Sequence, residues 1–143
     1  MTIQRLTELV DLWKVRLGLG NWRIILTIGE LEDETSLMEI RRSTDHDRAR
    51  IFIPTWMIDD NEPLPDIIDV RASLTDEVIE VSLVHELLHL NTRDMRVVVG
   101  NDIETFLHRD VHTQVENAFR RAEEHMVDRL AVALVRAFSD GAT

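Results

Sequence analysis

The sequence contains no cysteine and no tyrosine, and it has only 3 prolines and 5 glycines among 143 residues. Without cysteine there is no disulfide and no thiolate metal ligand, so a metal site would have to use histidine and carboxylate side chains. No apolar run reaches the roughly 18 residues that suggest a membrane-spanning helix. The chain opens on an amphipathic pattern with no visible signal peptide, and these features together predict a cytoplasmic protein without a membrane partner.

Basic residues are scarce. Lys and Arg number 16 against 27 Asp and Glu, which gives a formal net charge of -11. A surface this acidic repels a phosphate backbone, so we expect no nucleic-acid partner. The arginine-rich stretch 41–50 is interrupted by Asp45 and Asp47, which favours a solvated hairpin. The length predicts a single domain, residues 1–143, with one core.

The most informative motif is His85-Glu86-Leu87-Leu88-His89, an H-E-x-x-H pattern. Histidines four residues apart lie about one turn apart on one helical face, where both imidazoles can reach one metal ion. Glu86 stands beside the first histidine, where its carboxylate can take a proton from a water molecule. The motif therefore predicts two metal ligands, His85 and His89, and a general base, Glu86.

The surrounding sequence predicts a helix from 74 to 92, with a hydroxyl N-cap and acidic residues in the first turns. Both histidines lie on one stripe of this helix together with Val78, Val81, Ser82 and Leu88. Polar groups on a largely apolar face need partners, and one metal ion satisfies two histidines at once. The alternatives are a hydrogen-bonded pair of core histidines and a surface helix with two solvated histidines.

A catalytic zinc usually takes three protein ligands, and the C-terminal segment offers the third. Residues 111–138 lack Gly and Pro and show helical periodicity, and within them Glu124 and Asp128 share a partly apolar face. Glu124 as a ligand and Asp128 as the hydrogen-bond partner of a ligand histidine would explain this pair. The ordinary alternatives are solvation of the two acids or ion pairs with Arg120, Arg121 or Arg129.

The remaining pattern predicts an α+β fold. A helix over residues 3–17 ends at Gly18 and Gly20, and three strands follow at 21–28, 37–41 and 48–53. Consecutive hairpins would make this three-stranded sheet antiparallel. A loop marked by Pro63 and Pro65 precedes the two metal-binding helices. Residues 95–110 show no clear periodicity, and we expect a long insertion there that acts as a lid.

The H-E-L-L-H motif followed by Glu124-x-x-x-Asp128 resembles the gluzincin metallopeptidases. The run from Glu124 to Ala131 is especially similar to the second helix of the minimal gluzincins, a group that includes small phage and bacterial proteins. The resemblance implies a zincin-like fold with an N-terminal helix and a three-stranded sheet before the metal helices. It implies zinc held by His85, His89 and Glu124, with Asp128 supporting a ligand.

The resemblance also implies that a sheet edge near the metal binds an extended peptide, and the third strand, at Ala49, Arg50 and Ile51, is our candidate for it. Many gluzincins stabilise the oxyanion with a Tyr or a His; this chain has no Tyr, so only a His or an Arg could take that role. The candidates for that role, and for the third ligand if Glu124 is not it, are His108, His112 and His125. Glu123 is the main rival of Glu124.

These features lead to one expected function and one alternative. We expect a zinc metallopeptidase, a hydrolase that acts on a peptide or protein substrate. The alternative is a non-catalytic binding or regulatory protein that keeps the zincin fold, such as a phage-encoded interaction protein. The intact Glu86 favours the enzyme, because a scaffold needs the metal ligands but not the base.

Overall fold

The structure, a computed structural model, describes residues 2–32, 36–43, 47–58, 74–106 and 109–140. The chain forms an N-terminal helix, a three-stranded sheet and C-terminal helices, so the predicted α+β class is confirmed. The elements in chain order are α1 (Ile3–Arg16), β1 (Arg23–Ile28), β2 (Glu39–Arg42), β3 (Arg48–Ile53), α2 (Thr55–Ile58), α3 (Asp76–Asn91), α4 (Arg93–Phe106) and α5 (Arg109–Asp140).

Helix α1 forms as its sequence predicts. The Thr2 side chain accepts a hydrogen bond from Arg5 N–H and caps the first turn. The helix ends at Leu17, and Gly18 follows with a φ of 69°, a left-handed conformation that glycine adopts without strain. Its buried face consists of Leu6, Leu9, Val10 and Trp13.

The sheet is mixed, with strand order β1-β3-β2. Strand β3 pairs with β2 in an antiparallel register and with β1 in a parallel register, so the predicted antiparallel sheet is right for β2–β3 and wrong for β1. The connection from β1 to β2, residues 29–38, is long enough to carry the chain past the position that β3 later fills. Consecutive strands pair often but not always, and here β1 and β2 do not.

Burial explains why β3 lies in the centre. Ala49, Ile51 and Ile53 are buried on the inner face of the sheet, and the residues between them point to the outer face. A central strand buries its apolar face most completely, because neighbours on both sides shield it. The inner face of the sheet and the helices share one hydrophobic core, and α3 lies within it.

Helix α3 carries the H-E-x-x-H motif and packs against α1, α5 and β2. Its N-cap is Thr75, whose hydroxyl accepts from Val78 N–H. Trp13 Nε1 donates to Glu80 Oε1 at 2.7 Å and ties α1 to it. Most of the buried residues of α3 lie outside the helical stripe that was predicted from the sequence. Val78, which belongs to that stripe, is 38% exposed. The buried residues of α3 are Ile79, Leu83, Val84, Leu87, Leu88 and Leu90.

The segment after α3 is a helix and not the irregular insertion that we expected. Helix α4 begins at Arg93, one residue after the Thr92 cap, and packs against α3 and α5. Its pattern is hard to read because Met95, Val97 and Val98 are all exposed. Helix α5 is 32 residues long, and its buried residues Val127, Ala131 and Val135 recur at four-residue spacing.

Candidate metal centre

Helices α3 and α5 bring His85, His89 and Glu124 together. The two Nε2 atoms of the histidines are 3.0 Å apart, and Glu124 Oε2 lies 3.5 Å from each of them. The ligand atoms of all three side chains lie within 4.8 Å of one another, and the group can hold a metal ion. The four-residue spacing on α3 sets the distance between the two histidine Nε2 atoms. The packing of α5 against α3 sets the two distances from Glu124 Oε2 to the histidines.

The triangle of donor atoms has the dimensions of a tetrahedral zinc site. Ligands about 2.0–2.1 Å from a zinc ion are separated from one another by about 3.3 Å. The measured separations of 3.0, 3.5 and 3.5 Å bracket that value. Two imidazoles and one carboxylate are also a donor set of catalytic zinc sites, which keep a fourth position open. The residues therefore fit a zinc ion by both distance and chemistry.

Asp128 lies against the far side of the first histidine. Its Oδ1 is 2.9 Å from His85 Nδ1, the distance of a charge-assisted hydrogen bond. A proton on Nδ1 leaves the Nε2 lone pair directed towards Glu124 and His89. A carboxylate at this position can fix the tautomer and the ring orientation of a histidine that binds a metal ion.

The second histidine has an unpartnered nitrogen. His89 Nδ1 is buried and has no hydrogen-bond partner within the described chain. Burial lowers the pKa of His89, which keeps the ring neutral near pH 7 and able to act as a ligand. The nearest carboxylate to this nitrogen is Glu123 Oε1, at 3.8 Å.

Glu123, the main rival for the third ligand, faces away from the donor triangle. It is only 3% exposed and accepts hydrogen bonds from Thr92 Oγ1 at 2.6 Å and from Arg96 Nη2 at 2.6 Å. Burial by itself would raise the pKa of Glu123, but the bonds from Thr92 and Arg96 outweigh it and lower the pKa. The anionic carboxylate joins α5 to the start of α4 on the Nδ1 side of His89.

Glu86 projects from α3 towards strand β2. Its Oε2 accepts a hydrogen bond of 2.8 Å from Ile40 N–H, which orients the carboxylate. Burial raises the pKa of Glu86 to about 7, although the bond from Ile40 opposes this shift. A carboxylate whose pKa lies near neutrality is well matched to accepting and returning a proton.

Two cavities meet at Glu86, one on each side of the donor triangle. The first has a volume of about 210 Å³ and is lined by Ile40, Arg42, Glu86, His89, Leu90, Arg96 and Glu124. The second has a volume of about 190 Å³ and is lined by Ser36, Leu37, Met38, Val81, Ser82, His85, Glu86 and Asp128. Together they form a cleft between β2 and α3, which we call the metal cleft.

The strand that borders the metal cleft is β2 and not β3. Strand β3 is paired on both sides, so Ala49, Arg50 and Ile51 have no free edge to which a peptide could add. Among the described residues, strand β2 pairs only with β3, and its other edge faces α3 through the bond from Ile40 N–H to Glu86. The strand edge next to the metal cleft therefore belongs to β2.

Arg42 is a residue of the cleft that the sequence analysis missed. It ends β2 and lines the cleft with Glu86, His89 and Glu124. Partial desolvation lowers the pKa of its guanidinium, and repulsion from Arg96 and Arg93 adds to this effect. The signal in the sequence was weak, because Arg42 is one of six arginines within 41–50 and 93–96.

Of the histidines considered for the oxyanion role, the two that the structure describes, His112 and His125, do not line the cleft. His108 lies outside the described residues. His112 is 12 positions before Glu124 on α5, about 18 Å along the helix at 1.5 Å per residue. His125 follows Glu124, and its side chain is exposed on another side of α5. Within the described cleft, the cationic side chains are Arg42 and Arg96.

No model of a known protein family matches this chain, and neither a curated protein nor a solved structure matches it. Within the described residues, no helix combines the length and the apolar character that crossing a membrane requires. The function is therefore inferred from the geometry of the metal cleft and its side chains.

The Asp128→Asn variant is expected to bind zinc about 10- to 100-fold more weakly than the wild type, because loss of an outer hydrogen-bond partner typically has this effect. The asparagine keeps the size of the side chain but not its charge beside His85 Nδ1. Competition with a chromophoric chelator measures the affinity. Asp11→Asn, an exposed change on α1, serves as the control, and equal affinities for both variants would contradict the role of Asp128.

Proposed function

We propose that the protein is a zinc-dependent peptidase in which His85, His89 and Glu124 hold the metal and Glu86 is the general base. The observation that carries the proposal is the donor triangle with separations of 3.0, 3.5 and 3.5 Å, next to an oriented carboxylate. A protein that only binds its partner would need the three metal ligands but not the base, Glu86. The orientation of Glu86 by Ile40 supports an enzyme.

Each residue of the cleft has a distinct task in the proposed reaction. Zinc, when bound, supplies Lewis acidity that polarises the substrate carbonyl and acidifies a water molecule. Glu86 accepts a proton from that water and delivers it to the leaving amine. The hydrogen bond from Ile40 N–H holds Oε2 in place, so the second oxygen is available for proton transfer. Asp128 keeps His85 in the ligand tautomer.

The substrate is proposed to bind as an extended peptide along the free edge of β2. Edge strands bind peptides through main-chain hydrogen bonds, and side-chain pockets then select the sequence. Two features support β2: the edge faces the metal cleft, and the cleft extends to both sides of Glu86. The two cavities of the cleft are small, about 210 and 190 Å³, which suits an extended chain better than a folded protein surface.

Arg42 is proposed to stabilise the negative charge that develops on the carbonyl oxygen. Its guanidinium lines the cleft on the same side as Glu86 and Glu124 and has no hydrogen-bond or ion-pair partner in the described part of the chain. A fixed donor aimed at a developing oxyanion is often the largest single contribution to catalysis. This role would take the place of the tyrosine that the chain lacks.

Hydrolysis of a fluorogenic peptide library, with and without a chelator, tests the proposed function. We expect cleavage by the purified protein, loss of cleavage after treatment with a strong chelator, and recovery when zinc is added back. Cleavage that survives removal of the metal would contradict the proposal. Stoichiometric zinc without cleavage of any member of a broad library would favour the non-catalytic binding protein.

A further inference from the structure

A larger cavity lies on the outer face of the sheet, away from the helices. Its volume is about 570 Å³, and we call it the arginine groove. The strand register creates it, because Arg23 is the partner of Arg48 and Arg41 is the partner of Arg50. Facing residues on adjacent strands share one face, about 4.8 Å apart. The side chains of interest in the groove are Arg23, Arg41, Arg48, Arg50, Ile25 and Phe52.

Most of the positive charge in this groove is uncompensated. Arg41 pairs with Glu39 at 2.6 Å and stacks on Phe52 at 4.1 Å. Arg23, Arg48 and Arg50 are exposed, and their side chains make no hydrogen bond or ion pair with the described chain. No acidic side chain of the described residues lines the groove.

Apart from Glu39 and Glu32, which pair with Arg41, the described acid next to these arginines in the chain is directed elsewhere. Asp47 precedes Arg48, but its carboxylate accepts from Asn21 Nδ2 at 2.7 Å and lies 3.4 Å from Arg93 Nη1. Adjacent like charges destabilise a sheet. A chain with 27 acids and 16 bases nevertheless gathers unpaired cations on one face. An anionic ligand would offset their mutual repulsion.

The arginine groove is continuous with the metal cleft at the end of β2. Arg42, at the end of β2, lines both cavities and so marks the boundary between them. An extended chain that leaves the cleft past Arg42 enters the groove directly. Exposed Ile25 and the Phe52 ring provide apolar surface beside the cations.

We propose that the arginine groove binds an acidic segment of the polypeptide substrate and so selects proteins that carry such a segment beside the cleaved bond. The proposal rests on the proposed peptidase function and names its substrate class. Charge complementarity supplies the attraction and the orientation. A short acidic segment of a polypeptide would lie entirely within the arginine groove. A nucleic acid carries a charge on every nucleotide and would extend onto the rest of a protein whose net charge is -11.

Binding of a labelled peptide to the full-length protein tests this proposal without any need for metal or hydrolysis. The probes are octaglutamate, octaglutamine and an oligothymidylate of eight nucleotides, each labelled with fluorescein. The protein is titrated into each probe at low ionic strength, and binding is followed by fluorescence anisotropy. We expect octaglutamate to bind most tightly and to weaken steeply as salt is added. Octaglutamate binding no tighter than octaglutamine binding would overturn the proposal, as would tighter binding of the oligothymidylate.

A pair of matched variants locates the binding surface. The double variant Arg48→Glu, Arg50→Glu is expected to weaken octaglutamate binding by at least about tenfold. The control Arg121→Glu, Arg129→Glu makes the same change in net charge at exposed positions of α5 and should have a much smaller effect. Equal losses in the two variants would show a non-specific charge effect and overturn the assignment.

The single substitution Arg50→Gln provides a milder test that leaves the strand intact. It removes one unpaired cation and should weaken octaglutamate binding without changing the circular dichroism or the thermal midpoint. Unchanged binding in this variant and in the double variant would contradict the proposed groove. Because no readout involves zinc or cleavage, failure here is distinguishable from failure of the peptidase proposal.

Discussion

The Glu86→Gln variant is expected to bind zinc as the wild type does and to hydrolyse peptides at least about 10²-fold more slowly. Glutamine matches glutamate in size, and its amide oxygen can still accept the hydrogen bond from Ile40 N–H. The amide cannot accept a proton from water and return it to the leaving amine. The measurement is turnover of a fluorogenic peptide by both proteins at matched zinc occupancy.

The appropriate control for Glu86→Gln is Glu80→Gln, one and a half turns earlier on α3. Glu80 accepts a hydrogen bond from Trp13 Nε1 and takes no part in the metal cleft. Its glutamine variant keeps an acceptor for Trp13 and should retain activity. Equal turnover by Glu86→Gln and the wild type would exclude Glu86 as the base, and loss of zinc in Glu86→Gln would make it a ligand.

The His85→Ala and Glu124→Ala variants are each expected to lose stoichiometric zinc, with affinity reduced by more than about 100-fold, beyond the effect of losing an outer partner. Each substitution removes one corner of the donor triangle and leaves two ligands. Elemental analysis of the purified proteins and chelator competition measure the loss. Hydrolysis should disappear in parallel with the metal.

Glu123→Gln is the matched control for Glu124→Ala, because the two residues are adjacent on α5. The glutamine still accepts from the Thr92 hydroxyl, and Arg96 is partly exposed and can be solvated when its ion pair is lost. We expect full zinc occupancy in this variant. Zinc retained in Glu124→Ala and lost in Glu123→Gln would mean that the third ligand is Glu123.

Local patterns were sufficient to predict α1, α3 and α5 and the helices on which the candidate donor residues lie. The four-residue spacing of His85 and His89 places both on one face of any helix, whatever surrounds it. Glu124 and Asp128 share a face of α5 for the same reason. A rival such as Glu123 was harder to exclude, since its orientation depends on the contact with Thr92 and Arg96 from distant parts of the chain.

The wrong predictions concern features that depend on contacts between distant parts of the chain. The sequence contains three strands in order, but nothing in β1 alone states whether it pairs with β2 or with β3. The resemblance led us to assign the peptide-binding edge to the third strand, but β3 lies at the centre of the sheet and is paired on both sides. Helix α4 was missed because the exposed Val97 and Val98 hide its period.

By itself, the sequence predicted that His85, Glu86 and His89 lie together on one helix and that Glu124 and Asp128 share a face of another. These follow from helical spacing, which is a local property of the backbone. Only the tertiary structure decided that Glu124 Oε2 lies 3.5 Å from both histidines, that β2 borders the cleft and that arginines from three strands share one face. Such contacts arise between residues far apart in the chain, where packing and strand register, not periodicity, set the distances.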